Sequence, residues 1–202
     1  MSNLLVALSL VALSSAPEVL EGDLVFQESK GRQALAISKA TQSPIGHVGI
    51  VTIIDGEPFV YEAAGPVGLV SLERFTKRGL GGRLWVKRLK DRDRVLTEGA
   101  LSAMRRVALS FKGRPYDLYF QWDKRRLYCS ELVYDIYLLG AGVSLGRVQQ
   151  VGDLDLSSRE VKRLIGERYR RTLKRALDTS ELIITPVSLF EDPRLITVSA
   201  PP

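Results

Sequence analysis

Residues Gly46–Ala63 read GHVGIVTIIDGEPFVYEA, two apolar, β-branched runs on either side of Asp55-Gly56. Asp-Gly between such runs is a strong hairpin signal, because both loop residues must take positive φ. The expected strands are Val48–Ile54 and Pro58–Ala63, with Pro58 tolerated near a strand start. A two-residue loop sets Ile54 opposite Glu57 and, counting back, Gly49 opposite Glu62. Opposed residues share a sheet face, as do alternate residues along a strand. His47 and Glu62 are then diagonal neighbours, ~7–8 Å apart at the backbone, with Gly49 leaving the space between them open. A loop of different parity would put Glu62 on the other face.

Outward from the hairpin, further strands are expected at Asp23–Gln27, Gly68–Ser71, Arg83–Leu89 and Leu195–Val198. A small-residue helix is expected at Gln33–Thr41. Leu101, Met104, Ala108 and Phe111 recur at helical spacing before Lys112-Gly113. A second periodic helix, Cys129–Leu139, should stop at Gly140. A third, long and basic, covers Ser157–Ala176, with Ser157 or Ser158 as its cap. Meander strands with segregated helices define an α+β class, with a central antiparallel sheet packed against the helix that carries the cysteine.

Composition places the chain among ordinary globular proteins: 202 residues, 45% hydrophobic and 26% charged. The net charge of +6 suits an anionic neighbourhood, such as a cell-wall polymer or a membrane surface. No nucleic-acid module or aromatic platform accompanies it, so nucleic acid is not an expected partner. The apolar run Leu4–Ala16 ends in small residues and is too short for a membrane span. It fits the core of a signal peptide over residues 1–16, leaving one domain at 17–202 and an exported protein. Against that stand the lack of a preceding Lys or Arg and the presence of Pro17. The alternative is an apolar segment packed on the domain.

The chain has one cysteine and one histidine. A lone cysteine is usually a small buried hydrophobe and a lone histidine usually structural. Their settings change that reading. Cys129 opens an apolar-periodic helix behind Lys124-Arg125-Arg126, and a helix N-terminus with nearby cations lowers a thiol pKa. With His47 as base and Glu62 orienting it, Cys129 completes the minimum set for nucleophilic acyl transfer. One Cys and one His cannot make a structural zinc site, and nothing calls for a metal or another cofactor.

Five stretches carry a resemblance: Gly22–Phe26, Gly46–Val51, Val60–Ala63, Gly113–Asp117 and Tyr128–Val133. In this order they resemble the circularly permuted papain-like amidases of the YiiX/YaeF type, cousins of the NlpC-type bacterial cell-wall cysteine peptidases. The histidine precedes the cysteine, as in the permuted family. The resemblance implies a permuted papain-like fold with Cys129, His47 and Glu62 as catalytic residues and Tyr116 as a substrate-binding residue. It implies a thiol amidase or peptidase working through an acyl-cysteine on a wall peptide or a lipid-linked acyl group. Acyl transfer or thioester hydrolysis on lipids, and a cleft that binds without turnover, are the alternatives. The basic segment Arg147–Asp178 matches the family least.

Overall fold

The computed structural model describes residues 18–201, so the expected signal peptide at 1–16 lies outside the described residues. The chain runs β1 (Leu24–Glu28), α1 (Arg32–Thr41), β2 (Ile45–Ile54), β3 (Glu57–Ala63), β4 (Val67–Ser71), α2 (Leu72–Arg78), β5 (Trp85–Leu89), α3 (Arg92–Val95), α4 (Glu98–Phe111) and α5 (Cys129–Ala141). It then forms β6 (Gln149–Gln150), α6 (Arg159–Ile165), β7 (Leu182–Ile183), α7 (Pro186–Phe190) and β8 (Leu195–Ser199). Six strands make an antiparallel sheet in the order β4-β3-β2-β1-β5-β8. Segregated helices on that sheet give the α+β class.

Alternation along the strands splits the core. Leu24, Phe26, Val48, Ile50 and Tyr61 face α4 and α5. Val25, Val51, Val60 and Val86 face the other way, against Leu72 and Phe75 of α2. The hairpin turns on Asp55 (φ 51°) and Gly56 (φ 82°), and Ile54 pairs with Glu57. β2 begins earlier than expected, at Ile45 directly after Pro44, which biases the residue before it towards extended backbone.

Three features depart from the expectations. α5 runs through Gly140 and ends at Gly142 (φ 70°), whose N–H caps the helix onto Tyr137 and Leu138 carbonyls. Gly140 is there for packing: a Cβ on it would lie 2.6 Å from the Cα of Met104 on α4. The basic segment begins helically from Ser158, then loosens to π pitch over Gly166–Leu173 and stops at Lys174. Finally, α2 follows β4 without a loop, capped by Ser71, whose hydroxyl accepts from Arg74 N–H.

Candidate active site

His47 lies in β2 and Glu62 in β3, on the face that α2 covers. His47 Nε2 and Glu62 Oε2 are 2.7 Å apart, and both side chains are buried. The hairpin count suggested open space over Gly49, but that space is filled. A Cβ there would meet Val60 Cγ1 at 2.3 Å and Phe75 Cε2 at 3.3 Å. Phe75 instead stacks on the imidazole, with ring centroids 5.5 Å apart and planes inclined by 24°. Arg78, at the end of α2, donates through Nη2 to Glu62 Oε2 at 2.5 Å. One carboxylate oxygen therefore serves both partners.

Cys129 comes from the other layer, at the first turn of α5. Tyr128 provides no side-chain cap, so no capping side chain takes the first amides of the helix. The segment before α7 fastens this end of the helix: Ser130 Oγ donates to the Ile184 carbonyl at 2.8 Å, and Ile184 N–H donates to Tyr128 Oη at 3.1 Å. The buried thiol lies close enough to the His47 side chain and to the Val48 and Ser130 amides for each of them to favour its ionised form. Glu62 occupies Nε2, which leaves Nδ1 as the ring nitrogen available to the thiol.

The electrostatics follow from burial set against partners. Burial works to lower His47, but the facing thiolate and Glu62 outweigh it and push the imidazole to about 9. Burial works to raise the Cys129 thiol, and His47 with the two amides brings it below its ordinary value. Burial likewise opposes ionisation of Glu62, yet bonds from His47 and Arg78 hold it below the usual carboxylate range. The favoured state is a thiolate–imidazolium pair with an ionised Glu62 behind it.

Two cavities meet at this pair. One has about 810 Å³ of space, counting its open mouth, and nearly all its wall is apolar. Ala36 and Ile37 of α1, Val161 and Ile165 of α6, and Ile183 line it, and Cys129 sits on its wall. The other is a more polar cleft that includes His47, Arg78, Lys30 and Gln33. Tyr116 and Ile37 belong to both walls. The basic segment that matched least thus supplies one side of the apolar cavity.

The structure brings Cys129, His47 and Glu62 together and sets Tyr116 beside them. The sequence reading missed Arg78 and Phe75. Their helix carried a legible signal in Ser71 as cap, Glu73 in the first turn and Lys77 four residues later.

A papain-like layer arrangement with a cysteine at a helix start and a histidine in the sheet defines a class, the cysteine hydrolases of papain type. The particular family is shown by comparison: residues 18–199 match the family described as permuted papain-like amidase enzyme, YaeF/YiiX, C92, and the chain belongs to it. It is 33% identical over 208 residues to the YiiX protein of Escherichia coli (strain K12), covering 98% of this chain and 96% of that one. The crystal structure of a protein described as metalloprotein yiiX, from Escherichia coli O157:H7, superposes with a TM-score of 0.82 and 31% identity. That match covers 90% of this chain and 97% of the other.

A resident metal does not fit the donors of this chain. Among the described residues, no group of three His, Cys, Asp or Glu side chains is disposed to hold an ion. The buried acids Glu131 and Asp135 are instead met by Lys124, at 3.4 Å and 2.6 Å.

Proposed function

We propose that the protein is an amide hydrolase in which Cys129 is the nucleophile, His47 the acid–base and Glu62 its orienter, acting on amides of apolar acyl groups. The observation that carries this reading is that Cys129 sits on the wall of an apolar cavity while His47 lines the polar cleft that adjoins it at Tyr116 and Ile37. An acyl chain in the cavity would bring its carbonyl carbon to the thiolate and leave the amine on the His47 side.

In the acylation step Cys129 Sγ bonds to the carbonyl carbon and the C–N bond breaks. The proton on His47 goes to the departing amine. A water then attacks the acyl-cysteine, gives its proton to His47 and expels the thiolate. Glu62 stabilises the imidazolium and keeps Nε2 protonated when the ring is neutral. Arg78 keeps Glu62 ionised and pointed at the ring.

An apolar wall favours an acyl chain over a wall peptide, whose polar groups would enter that cavity without hydrogen-bond partners. The test is hydrolysis of N-acetyl, N-hexanoyl and N-decanoyl amines beside a peptide, thioester and lipid-ester panel, with Cys129→Ala as control. The expected result is kcat/KM for amides rising with chain length, and no turnover by Cys129→Ala. Equal rates for acetyl and decanoyl amines would refute the acyl-chain reading, and preferred turnover of the lipid ester with alcohol as acceptor would move the assignment to acyl transfer. An exported location, with the apolar run removed, completes the proposal.

A further inference from the structure

A chain of hydrogen bonds runs from the basic segment to the cleft. Arg168, on the π-helical turn, donates Nη2 to Gln33 Oε1 at 2.5 Å and Nη1 to the Leu118 carbonyl at 2.6 Å. Gln33, on α1, donates Nε2 to Tyr116 Oη at 2.9 Å. Tyr169, the next residue on the π turn, donates to the Tyr119 carbonyl. The change of pitch thus lets two consecutive side chains grip one loop, the loop that carries Tyr116.

The donor inventory fixes the direction of this chain. A guanidinium has only donors, so Gln33 must present its oxygen to Arg168 and its NH₂ to Tyr116. The Tyr116 oxygen is then an acceptor in that bond, and its single hydrogen must point elsewhere. It makes no other hydrogen bond among the described residues, and the phenol shares the cavity wall with Cys129. Burial and the nearby thiolate hold the phenol protonated.

We infer that Arg168 and Gln33 are positioning residues that turn the Tyr116 hydroxyl hydrogen towards the substrate carbonyl, making Tyr116 an oxyanion donor for the tetrahedral intermediate on Cys129. This rests on Cys129 being the nucleophile. Removing one such donor costs ~10²–10³-fold in the chemical step. Losing only the orientation of the donor costs less, about tenfold.

The experiment compares two reactions of the thiolate in the full-length protein. Acylation by decanoyl p-nitrophenyl ester, read as the first-turnover release of p-nitrophenolate, passes through an oxyanion. Alkylation by iodoacetamide does not. The ratio of the two rate constants cancels any change in the thiolate population, and an activated ester reports on the donor whether or not amides are the natural substrates. Tyr116→Phe should lower the ratio ~10²-fold, and Arg168→Met about tenfold. The double variant should fall no further than Tyr116→Phe.

Gln33→Glu separates orientation from structure. It preserves the bond to Arg168 but offers Tyr116 a carboxylate, so the hydroxyl donates to residue 33 and is lost to the carbonyl. The expected result is a lowered ratio with an unchanged melting temperature. A ratio that stays at the wild-type value in Tyr116→Phe or in Gln33→Glu overturns the inference. If Cys129→Ala still gives the burst, the nucleophile assignment fails instead.

Discussion

Glu62→Gln tests the electrostatics of the site without removing any of its bonds. His47 Nε2 and the Arg78 guanidinium both meet Oε2 of Glu62, at 2.7 Å and 2.5 Å. A glutamine whose carbonyl oxygen takes that place still accepts from both, so the imidazole keeps its tautomer and only the negative charge is lost. His47 is raised from 6.5 to about 9, so the imidazolium is complete below 6.5 and is lost as pH rises through 9. The Cys129 thiol is lowered from 9.0, so the thiolate extends to lower pH than for an ordinary thiol and is lost as pH falls through that lowered value. Removing one adjacent negative charge should drop the His47 pKa by ~1–2 units, since the thiolate remains to support it. The imidazolium is then nearly intact at pH 6.5 but reduced ~5–50-fold at pH 9. The assay is kcat/KM for N-decanoyl amine hydrolysis across that range, because expulsion of an amine needs the imidazolium proton. The wild type should show a basic limb near 9, moved down in Glu62→Gln, with far more activity than Cys129→Ala at every pH. A loss independent of pH, or one as deep as that of Cys129→Ala, would refute the reasoning.

Other expectations follow from single positions. Gly140→Ala should destabilise by ~1–3 kcal/mol in urea unfolding, because its Cβ would press on Met104 backbone at 2.6–2.8 Å; a neutral result contradicts the close α4–α5 approach. Glu131 is buried with Lys124 Nζ 3.4 Å from Oε1 but neither carboxylate oxygen hydrogen-bonded among the described residues, and burial chiefly raises it from 4.5 to about 8. The unfolded state releases that proton first, so stability should fall as pH rises from 4.5 towards 8; Glu131→Gln should flatten the slope, and an unaltered slope would show that Glu131 is not its source. Mass spectrometry of native protein should find a start between Ser15 and Glu18; an intact Met1 or Ser2 would reject cleavage.

The hairpin was legible because its information is local. Asp55-Gly56 admits one turn geometry, that turn sets the register, and the register puts His47 and Glu62 on one face. Cys129 was legible through its helix start, again a local signal. What failed depended on neighbours far along the chain. Gly140 looked like a stop signal because a mid-helix glycine costs ~1 kcal/mol. Its reason, the passage of Met104, lies on another helix. Gly49 looked like open space, yet Phe75 from α2 fills it. The π pitch at Gly166–Leu173 leaves no pattern in a run of Arg and Lys.

The basic charge illustrates the same division. Read along the sequence, the cations form solvated faces and a general attraction to anions. In the fold, three of them turn inward and each fastens one part of the site. Arg78 holds Glu62 on the imidazole. Lys124 places its ammonium on both oxygens of Asp135, at 2.6 Å and 2.7 Å, fixing the loop after Tyr116 to the cysteine helix. Arg168 sets Gln33 and the Leu118 carbonyl. Nothing in sequence distinguishes these three from their neighbours, because each is selected by a buried acceptor that arrives from another segment. A protein can therefore keep its net charge and lose this site: exchanging Arg168 with the exposed Thr172 leaves composition and net charge untouched but removes the guanidinium that dictates how Gln33 faces Tyr116.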